Sequence, residues 1–323
     1  MILFETAPVL LLALLMDVVI GDPAWVYRRV PHPVVLMGMV IDWLDRHLNQ
    51  IQHADALRRA LGGAAVLALL VGALALGWGL HVGLTMLPHG LILEALVVSV
   101  LLAWNSLYRH VAAVERGFVG ARLAPARAAV QLIVGRDPKS LDEAGMCRAA
   151  IESLAENFSD GIVAPAFWYL ILGLPGLIAY KALNTADSMI GHRTERHRLF
   201  GWAAARLDDA ANYVPARLTA VLLYAAAHLG PDDRPGDALA AVFRDARHHR
   251  SVNAGWPEAA MAGALGLRLA GPRYYNGDLV DDAWMGNADA NATPSDIRRA
   301  LRLYNRAFGV LMAGVGLVAL LEI

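Results

Sequence analysis

Between Arg148 and Arg217 the chain sets acids, amides and arginines directly against apolar segments. Glu152, Glu156 and Asp160 recur every four residues, so a helix would bring them to one face. Like charges at that spacing repel, which a helix with only a structural task would avoid. Asn184 and Asp187 are three apart, Asp208 and Asn212 are four apart, and Asp209 adjoins Asp208. Each set can present hard oxygen ligands to Mg²⁺, which takes one or two carboxylates together with substrate phosphates. The plainer alternative for each set is a solvated helix face with ordinary caps.

The elements that must carry these groups are apolar. Of 323 residues 57% are hydrophobic and 18% charged, and mean hydropathy is +0.44, which points to a helical membrane body with polar insertions. A net charge of −1 leaves no basic footprint for nucleic acid. The single cysteine, Cys147, excludes an intramolecular disulfide and a cysteine-based zinc site. The first segment, 1–20, has no basic start and carries Glu5 and Asp17, so it reads as a retained span rather than a cleaved signal.

In order along the chain, an apolar run over 6–20 encloses Asp17 and exits through Gly21-Asp22-Pro23. Pro31-His32-Pro33 is stiff and extended, which suits a turn. The amphipathic stretch 34–48, with Asp42, Trp43, Asp45 and Arg46, is expected along the membrane surface. Residues 61–87 are uncharged and form the clearest transmembrane helix, since about 20 residues suffice to cross. Pro88-His89-Gly90 turns the chain back into 91–104. That neutral turn belongs outside, with Arg58, Arg59, Arg109 and Arg116 inside.

A cytoplasmic helical insertion is expected over 105–160, with Asp137 as the cap, Pro138 at the first helical position, and Arg136, Lys139 and Arg148 around the start. Residues 161–183 are long enough to cross, but Gly173-Leu174-Pro175-Gly176 divides them. A single crossing would leave Lys181, Arg193, Arg196, Arg198 and Arg206 outside, so a broken helix or hairpin at Pro175 is preferred. A short apolar run, 214–229, precedes a basic amphipathic helix, 238–250, whose Arg247-His248-His249-Arg250 reads as a solvated end. Ser251 or Asn253 can cap a helix near Pro257, and 271–292 reads as a Gly/Asp/Asn-rich loop. Thr293-Pro294-Ser295-Asp296 opens a basic helix that runs into a last apolar stretch, 307–321. The fold class is therefore all-α: a polytopic integral membrane helical bundle, 1–323, with a polar region over 230–306 facing the cytoplasm.

Several motifs resemble the membrane-bound adenosylcobinamide-phosphate synthase family of cobalamin biosynthesis. They are Val134 through Asp137, Arg148 through Asn157, Asp160-Gly161 with Ala164-Pro165, and Tyr180-Lys181 with Asn184-Thr185. Asp187 through Gly191, Phe200-Gly201, Ala205 through Asp209, Asn212, Pro215 through Leu218 and Asn253 through Met261 continue the match, as do Asp17, Gly21-Asp22-Pro23, His32-Pro33 and Gly38 near the start. The resemblance covers nearly the whole chain. His192 and His197 stand where tyrosine is expected, and 271–292 matches weakly.

The resemblance implies amide formation between a propionate carboxylate of adenosylcobyric acid and the amine of (R)-1-aminopropan-2-ol or its O-phosphate. It implies ATP as co-substrate, Mg²⁺ as cofactor, and a multi-pass inner-membrane protein whose active site faces the cytoplasm. Partners are then the corrinoid, the aminopropanol (or its phosphate) and the lipid bilayer, with a homo-oligomer or association with other cobalamin-assembly enzymes as further expectations. A carboxylate must be activated before an amine attacks it, and an acyl phosphate does this. On this reading Asp160, Asp187, Asp208 and Asp209 are the metal ligands. Lys181, Arg193, Arg206 and Arg217 clamp phosphate, and Glu152 or Glu156 takes the proton, with Asn157 beside them. Asp17, Asp22, His32, Asn184, Ser188, Asn212, Asn253, Trp256 and Glu258 bind substrate, and Trp25, Trp43, Trp168 and Trp256 flank the corrinoid or form an interfacial belt. Rival readings are a corrinoid or ion transporter, a Mg²⁺-dependent prenyltransferase and a non-catalytic relative. The absence of internal repeats speaks against the first, the sparse acids against the second, and the intact acid clusters against the third.

Overall fold

The structure is a computed structural model describing residues 6–120, 123–134, 141–192, 194–275, 278–280 and 282–321. Gly135 through Ser140 and Arg193 lie outside the described residues, so the expected cap at Asp137 and the expected roles of Arg136, Lys139 and Arg193 do as well. The helices are α1 (Thr6–Val19), α2 (Ala24–Tyr27), α3 (Pro33–Leu48), α4 (Asp55–Thr85), α5 (Gly90–Leu101), α6 (Trp104–Gly117) and α7 (Leu123–Gln131). They continue with α8 (Glu143–Phe158), α9 (Ala164–Ile190), α10 (Trp202–Ala211), α11 (Tyr213–Ala227), α12 (Pro235–Asp245), α13 (Gly255–Leu265) and α14 (Pro294–Leu321). Four runs among the described residues are long and apolar enough to cross a membrane: Asp55–Thr85, Gly90–Gly117, Glu143–Ile190 and Pro294–Leu321. The chain is thus an all-α, multi-pass membrane bundle. The described part of α1 is an apolar helix of 14 residues, within the stretch expected to be a retained span.

The chain divides into two compact units. The first holds residues 1–103, 164–212 and 315–323. Its core gathers Ile41, Val66, Leu183, Ile190 and several alanines from α3, α4, α9 and α10, with Phe200 from the turn that precedes α10. Glycines allow the closest approaches: a Cβ on Gly62 would overlap the Phe200 carbonyl, and one on Gly77 would meet Pro175. Stretch 34–48 forms α3, which lies against α9, where Gly38 leaves room for the Met189 sulfur.

The break in α9 is a hairpin. Gly173 adopts φ 64° and ψ −156°, a conformation open to glycine alone, and Pro175 follows it without an N–H to continue the helix. A Cβ on Gly176 would lie 2.6 Å from the carbonyl of Trp168, eight residues earlier. In a straight helix eight residues span about 12 Å, so the chain has doubled back. Trp168 and Tyr180, on opposite arms, reach the adjacent residues Ala211 and Asn212.

The second unit holds residues 104–163 and 213–314. Asp142 caps α8 by accepting from the Gly145 N–H. At its far end α8 widens into a π-turn, Ser159–Val163. Tyr304 and Phe158 meet edge to face in the core, with Trp104 stacked on Tyr304. Thr293 and Asp296 close the expected box at the start of α14, the Asp296 carboxylate accepting from both the backbone and the hydroxyl of Thr293. α13 begins at Gly255, two residues before Pro257, after a turn in which the Ser251 hydroxyl accepts from the Asn253 and Ala254 N–H groups.

The stretch expected to be a loop, 271–292, holds the antiparallel pair β2 (Arg273–Tyr275) with β3 (Asp278–Val280), and its β4 (Trp284–Met285) pairs antiparallel with β1 (Leu269–Ala270) just before it. Strands of two or three residues are too short to leave a period in the sequence.

Candidate active site

In the first unit the returning arm of α9 carries Lys181, Asn184, Asp187 and Ser188, while α10 carries Arg206, Asp208 and Asp209 and ends at Asn212. Asn212 is buried and fixes the pair. Its amide donates to Asp208 Oδ2 at 2.9 Å, and its Oδ1 accepts from the Tyr180 hydroxyl at 2.8 Å. The four-residue spacing of Asp208 and Asn212 is what lets one helical turn make this bond. Asp208 is 8% exposed, and its second oxygen, Oδ1, is buried without a hydrogen-bond partner.

Burial, and then the charge of Asp187, pushes the Asp208 carboxyl up to about 7 against the pull of the Asn212 and Asn184 amides, with Asp209 adding to the rise. The Asn184 amide lies near enough to favour the charged form, yet it makes no hydrogen bond that would satisfy Oδ1. Gly191 is required beside this set, because a Cβ there would overlap Asp187 Oδ1. Lys181 is buried, Asp187 and Asp209 are half-buried, and Arg206 is exposed at the rim. Ser188 is exposed and donates to the Asn184 carbonyl at 2.9 Å.

The loop joining α9 to α10 is anchored by residues that the sequence reading did not assign to the site. Arg196 donates twice to Asp45 Oδ2, at 2.9 and 2.6 Å, and Asn49 donates to Asp45 Oδ1 at 2.8 Å. Arg58 donates to Asn49 Oδ1 at 3.1 and 2.9 Å and to the Arg196 carbonyl at 2.6 Å. Burial alone would raise the Asp45 carboxyl. The Asn49 and Arg196 hydrogen bonds, with the charges of Arg196 and His197, outweigh burial and hold it below its ordinary value. Elsewhere in this unit Asp17 is buried near the end of α1. His32 caps α3, its Nδ1 accepting from the Val34 N–H at 3.2 Å, and its Nε2 lies 3.6 Å from Asp22.

The second unit holds the remaining expected residues. Glu152 is 5% exposed and accepts from the Ala270 N–H at 2.9 Å, holding a residue with φ 58°. Glu156 and Asn157 face solvent, and Asn157 bonds back to Ser153. The expected acid row therefore divides, one member inside and one outside, and the π-turn bearing half-buried Asp160 ends the four-residue spacing.

Arg217 lies between two rings, 3.5 Å from the Tyr213 centroid and 4.4 Å from that of Trp256. Its guanidinium donates to Asn253 Oδ1 at 3.0 Å and to the Tyr213 and Val252 carbonyls at 2.7 and 3.3 Å. These contacts make it a fastener between α11 and the Asn253–Trp256 turn rather than a free phosphate clamp. Glu258 is buried with its Oε2 3.7 Å from His249 Nε2. Thus His249 belongs to the interior and not to the solvated end expected for it. Of the four tryptophans expected around a corrinoid, Trp168 and Trp256 have these internal partners, while Trp25 and Trp43 are exposed.

Among the described residues no group of three or more His, Cys, Asp and Glu side chains is arranged to hold a metal ion. The four aspartates thus do not form one cage. A Mg²⁺ ion bound by one or two carboxylates plus substrate phosphates remains compatible with the donor set, and the orphaned Asp208 Oδ1 beside Asp187 fits it.

The family model described as CobD/Cbib protein matches residues 10–304. The chain belongs to the CobD/Cbib family. It is 51% identical to a "Cobalamin biosynthesis protein CobD" of a Sinorhizobium species, over 97% of this chain and 98% of that one. It is 49% identical to the protein of that name in Rhizobium meliloti (98% of each chain) and 44% identical to one in Rhodobacter capsulatus (98% of each). No solved structure matches it.

The matched span takes in every residue named above, from Asp17 to Glu258, and also Asp45, Arg58, Arg196 and His249, which sequence reasoning did not place in a site. For Asp45 a signal existed, since Asn49 follows it by one helical turn. For Arg196 and His249 nothing local marked a buried partner.

Proposed function

We propose that the chain is an acid–amine ligase of cobalamin biosynthesis. It would join the amine of (R)-1-aminopropan-2-ol, or its O-phosphate, to a propionate carboxylate of adenosylcobyric acid. The carboxylate oxygen attacks a phosphorus of ATP, forming an acyl phosphate and releasing the nucleotide leaving group. The amine nitrogen then attacks the acyl carbon, phosphate departs, and one amine proton is lost. The observation that carries this reading is Asp208: a buried carboxylate with an orphaned oxygen, beside Asp187 and Asp209, in a chain of the CobD/Cbib family.

Asp187 and Asp208 would hold Mg²⁺, with Asp209 at their edge. Bound there, the ion would neutralise phosphate charge. Tyr180 and Asn212 keep Asp208 oriented. Lys181 and Arg206 carry the cations proposed to grip phosphate. Glu156 and Asn157, exposed on α8, are the proposed groups for handling the amine proton. Glu152, Arg217, Asn253 and Glu258 are engaged in internal contacts and are proposed to position their loops. The arginines at 58, 59, 109 and 116, against the neutral turn at 88–90, support a cytoplasm-facing site in an inner membrane.

The test is direct. Purified protein in nanodiscs is incubated with adenosylcobyric acid, aminopropanol phosphate and Mg-ATP, and corrinoid mass is followed. The expected result is a mass gain equal to the amide, absent in Asp187→Ala and Asp208→Asn. Uptake of unchanged corrinoid into sealed vesicles, with no product, would refute the ligase in favour of transport.

A further inference from the structure

The tip of the α9 hairpin adjoins a cavity of ≈ 120 Å³ that the proposed reaction does not use, lined by Thr6, Trp78, His81, Glu94, Tyr169 and the 172–175 break among others. Glu94 is 2% exposed and lies in a run apolar enough to cross a membrane. Its Oε1 accepts from the Tyr169 hydroxyl at 2.8 Å, and its Oε2 is 2.8 Å from His81 Nδ1. A buried carboxylate in such a segment is costly and marks a site by default. The Tyr169 hydroxyl and the His81 ring thus hold the carboxylate at the edge of the cavity.

The break adds to this negative character. Gly173 ends the first arm of α9, so a helix C-terminus with its carbonyl dipoles forms part of the wall. Pro175 cannot supply the N–H that the Ile171 carbonyl would receive in a continuous helix. The Thr6 hydroxyl donates to the Leu170 carbonyl at 3.3 Å, satisfying another group near the break. The Trp78 ring adds an aromatic face, which attracts cations.

Carboxylate, helix end and aromatic face all favour positive charge, and the volume admits only a small ligand. We propose that this cavity binds one monovalent cation, an alkali ion or ammonium, which neutralises Glu94 and pins the hairpin tip. One carboxylate and a few carbonyls suit a monovalent ion, as at other broken membrane helices. A divalent ion demands more charged oxygen than the lining offers.

The test is thermal unfolding of the full chain in detergent, at fixed ionic strength, in NaCl, KCl, NH₄Cl and N-methyl-D-glucamine chloride. The glucamine cation, a polyhydroxylated six-carbon chain, is larger than the cavity and serves as the baseline. One inorganic cation should raise Tm saturably, by about 5 °C at a hundredfold excess over Kd, and the cation that does so identifies the ligand. Glu94→Gln, which keeps the side-chain shape and one acceptor oxygen, should lose the rise, and Tyr169→Phe should need at least about tenfold more cation for the same shift. If Glu94→Gln does not fold, equilibrium dialysis of the unmodified chain with radioactive sodium, or with Tl⁺ standing in for K⁺ and ammonium, decides. One ion per chain, weakened in Tyr169→Phe, supports the site. Equal melting in all four salts, an undiminished rise in Glu94→Gln, or no bound ion would overturn it.

Discussion

Asp208→Asn should make the folded protein more stable while abolishing its activity. The carboxyl sits at about 7 in the folded chain against an ordinary 3.8. A raised value means that the folded state holds a proton the unfolded state has released. The stability this contributes is complete below about pH 3.8 and is lost as pH rises through about 7. At about 1.4 kcal/mol per pH unit the gap of about three units amounts to about 4 kcal/mol. Asparagine never ionises, so it escapes this loss, and its carbonyl can still accept from the Asn212 amide. The advantage of the variant should therefore be near zero at pH 4, grow through pH 5 and 6, and level off above pH 7. The assay is denaturant-induced unfolding in detergent at pH 5, 6.5 and 8, with Tm as a second measure. Mg²⁺ should raise the Tm of the unmodified protein at pH 8 more than at pH 5, and should leave the variant unchanged. A difference between the two proteins that is flat across this range would refute the argument, because it would mean that Asp208 is already charged and compensated at pH 5.

Asp45→Asn should weaken the anchor of the 191–201 loop by about 1–3 kcal/mol at neutral pH, since it removes the charge that Arg196 pairs with. Because the folded Asp45 carboxyl lies below its ordinary 3.8, this deficit should fade as pH falls below about 4, which denaturation at pH 7 and pH 3.5 would reveal. Gly176→Ala should destabilise the hairpin by about 1–3 kcal/mol, because its Cβ would sit 2.6 Å from the Trp168 carbonyl and against Leu172, and a lowered Tm checks this. Arg217→Lys keeps the charge but loses the planar stack on Tyr213 and Trp256 together with the forked hydrogen bonds. It should loosen the 250–256 turn, seen as faster proteolysis there and a fall in Tm of a few degrees, while Arg217→Ala goes further in the same direction.

The sequence by itself determined whatever depends on neighbours along the chain. Uncharged length over 61–87 marked a helix long enough to span, and Gly173-Leu174-Pro175-Gly176 with arginines on its far side favoured a chain that turns back over a single crossing. Thr293 and Asp296 closed their box three residues apart, and Asp208 reached Asn212 one helical turn on. Each of these is set by helix geometry, by the missing proline N–H or by charge next to lipid, and none needs a distant partner. Tertiary structure alone decided the rest. Asp45 meets Arg196 from 151 residues away, and Glu152 meets Ala270 from 118 residues away. The same four-residue rule that put Glu152 and Glu156 on one side could not say that the first would be buried under a strand and the second left in solvent. His249, beside three other polar side chains, looked like a solvated helix end until α13 folded over it. Burial and long-range pairing are properties of the packed chain, and a local pattern of residues carries no record of which distant surface will cover it.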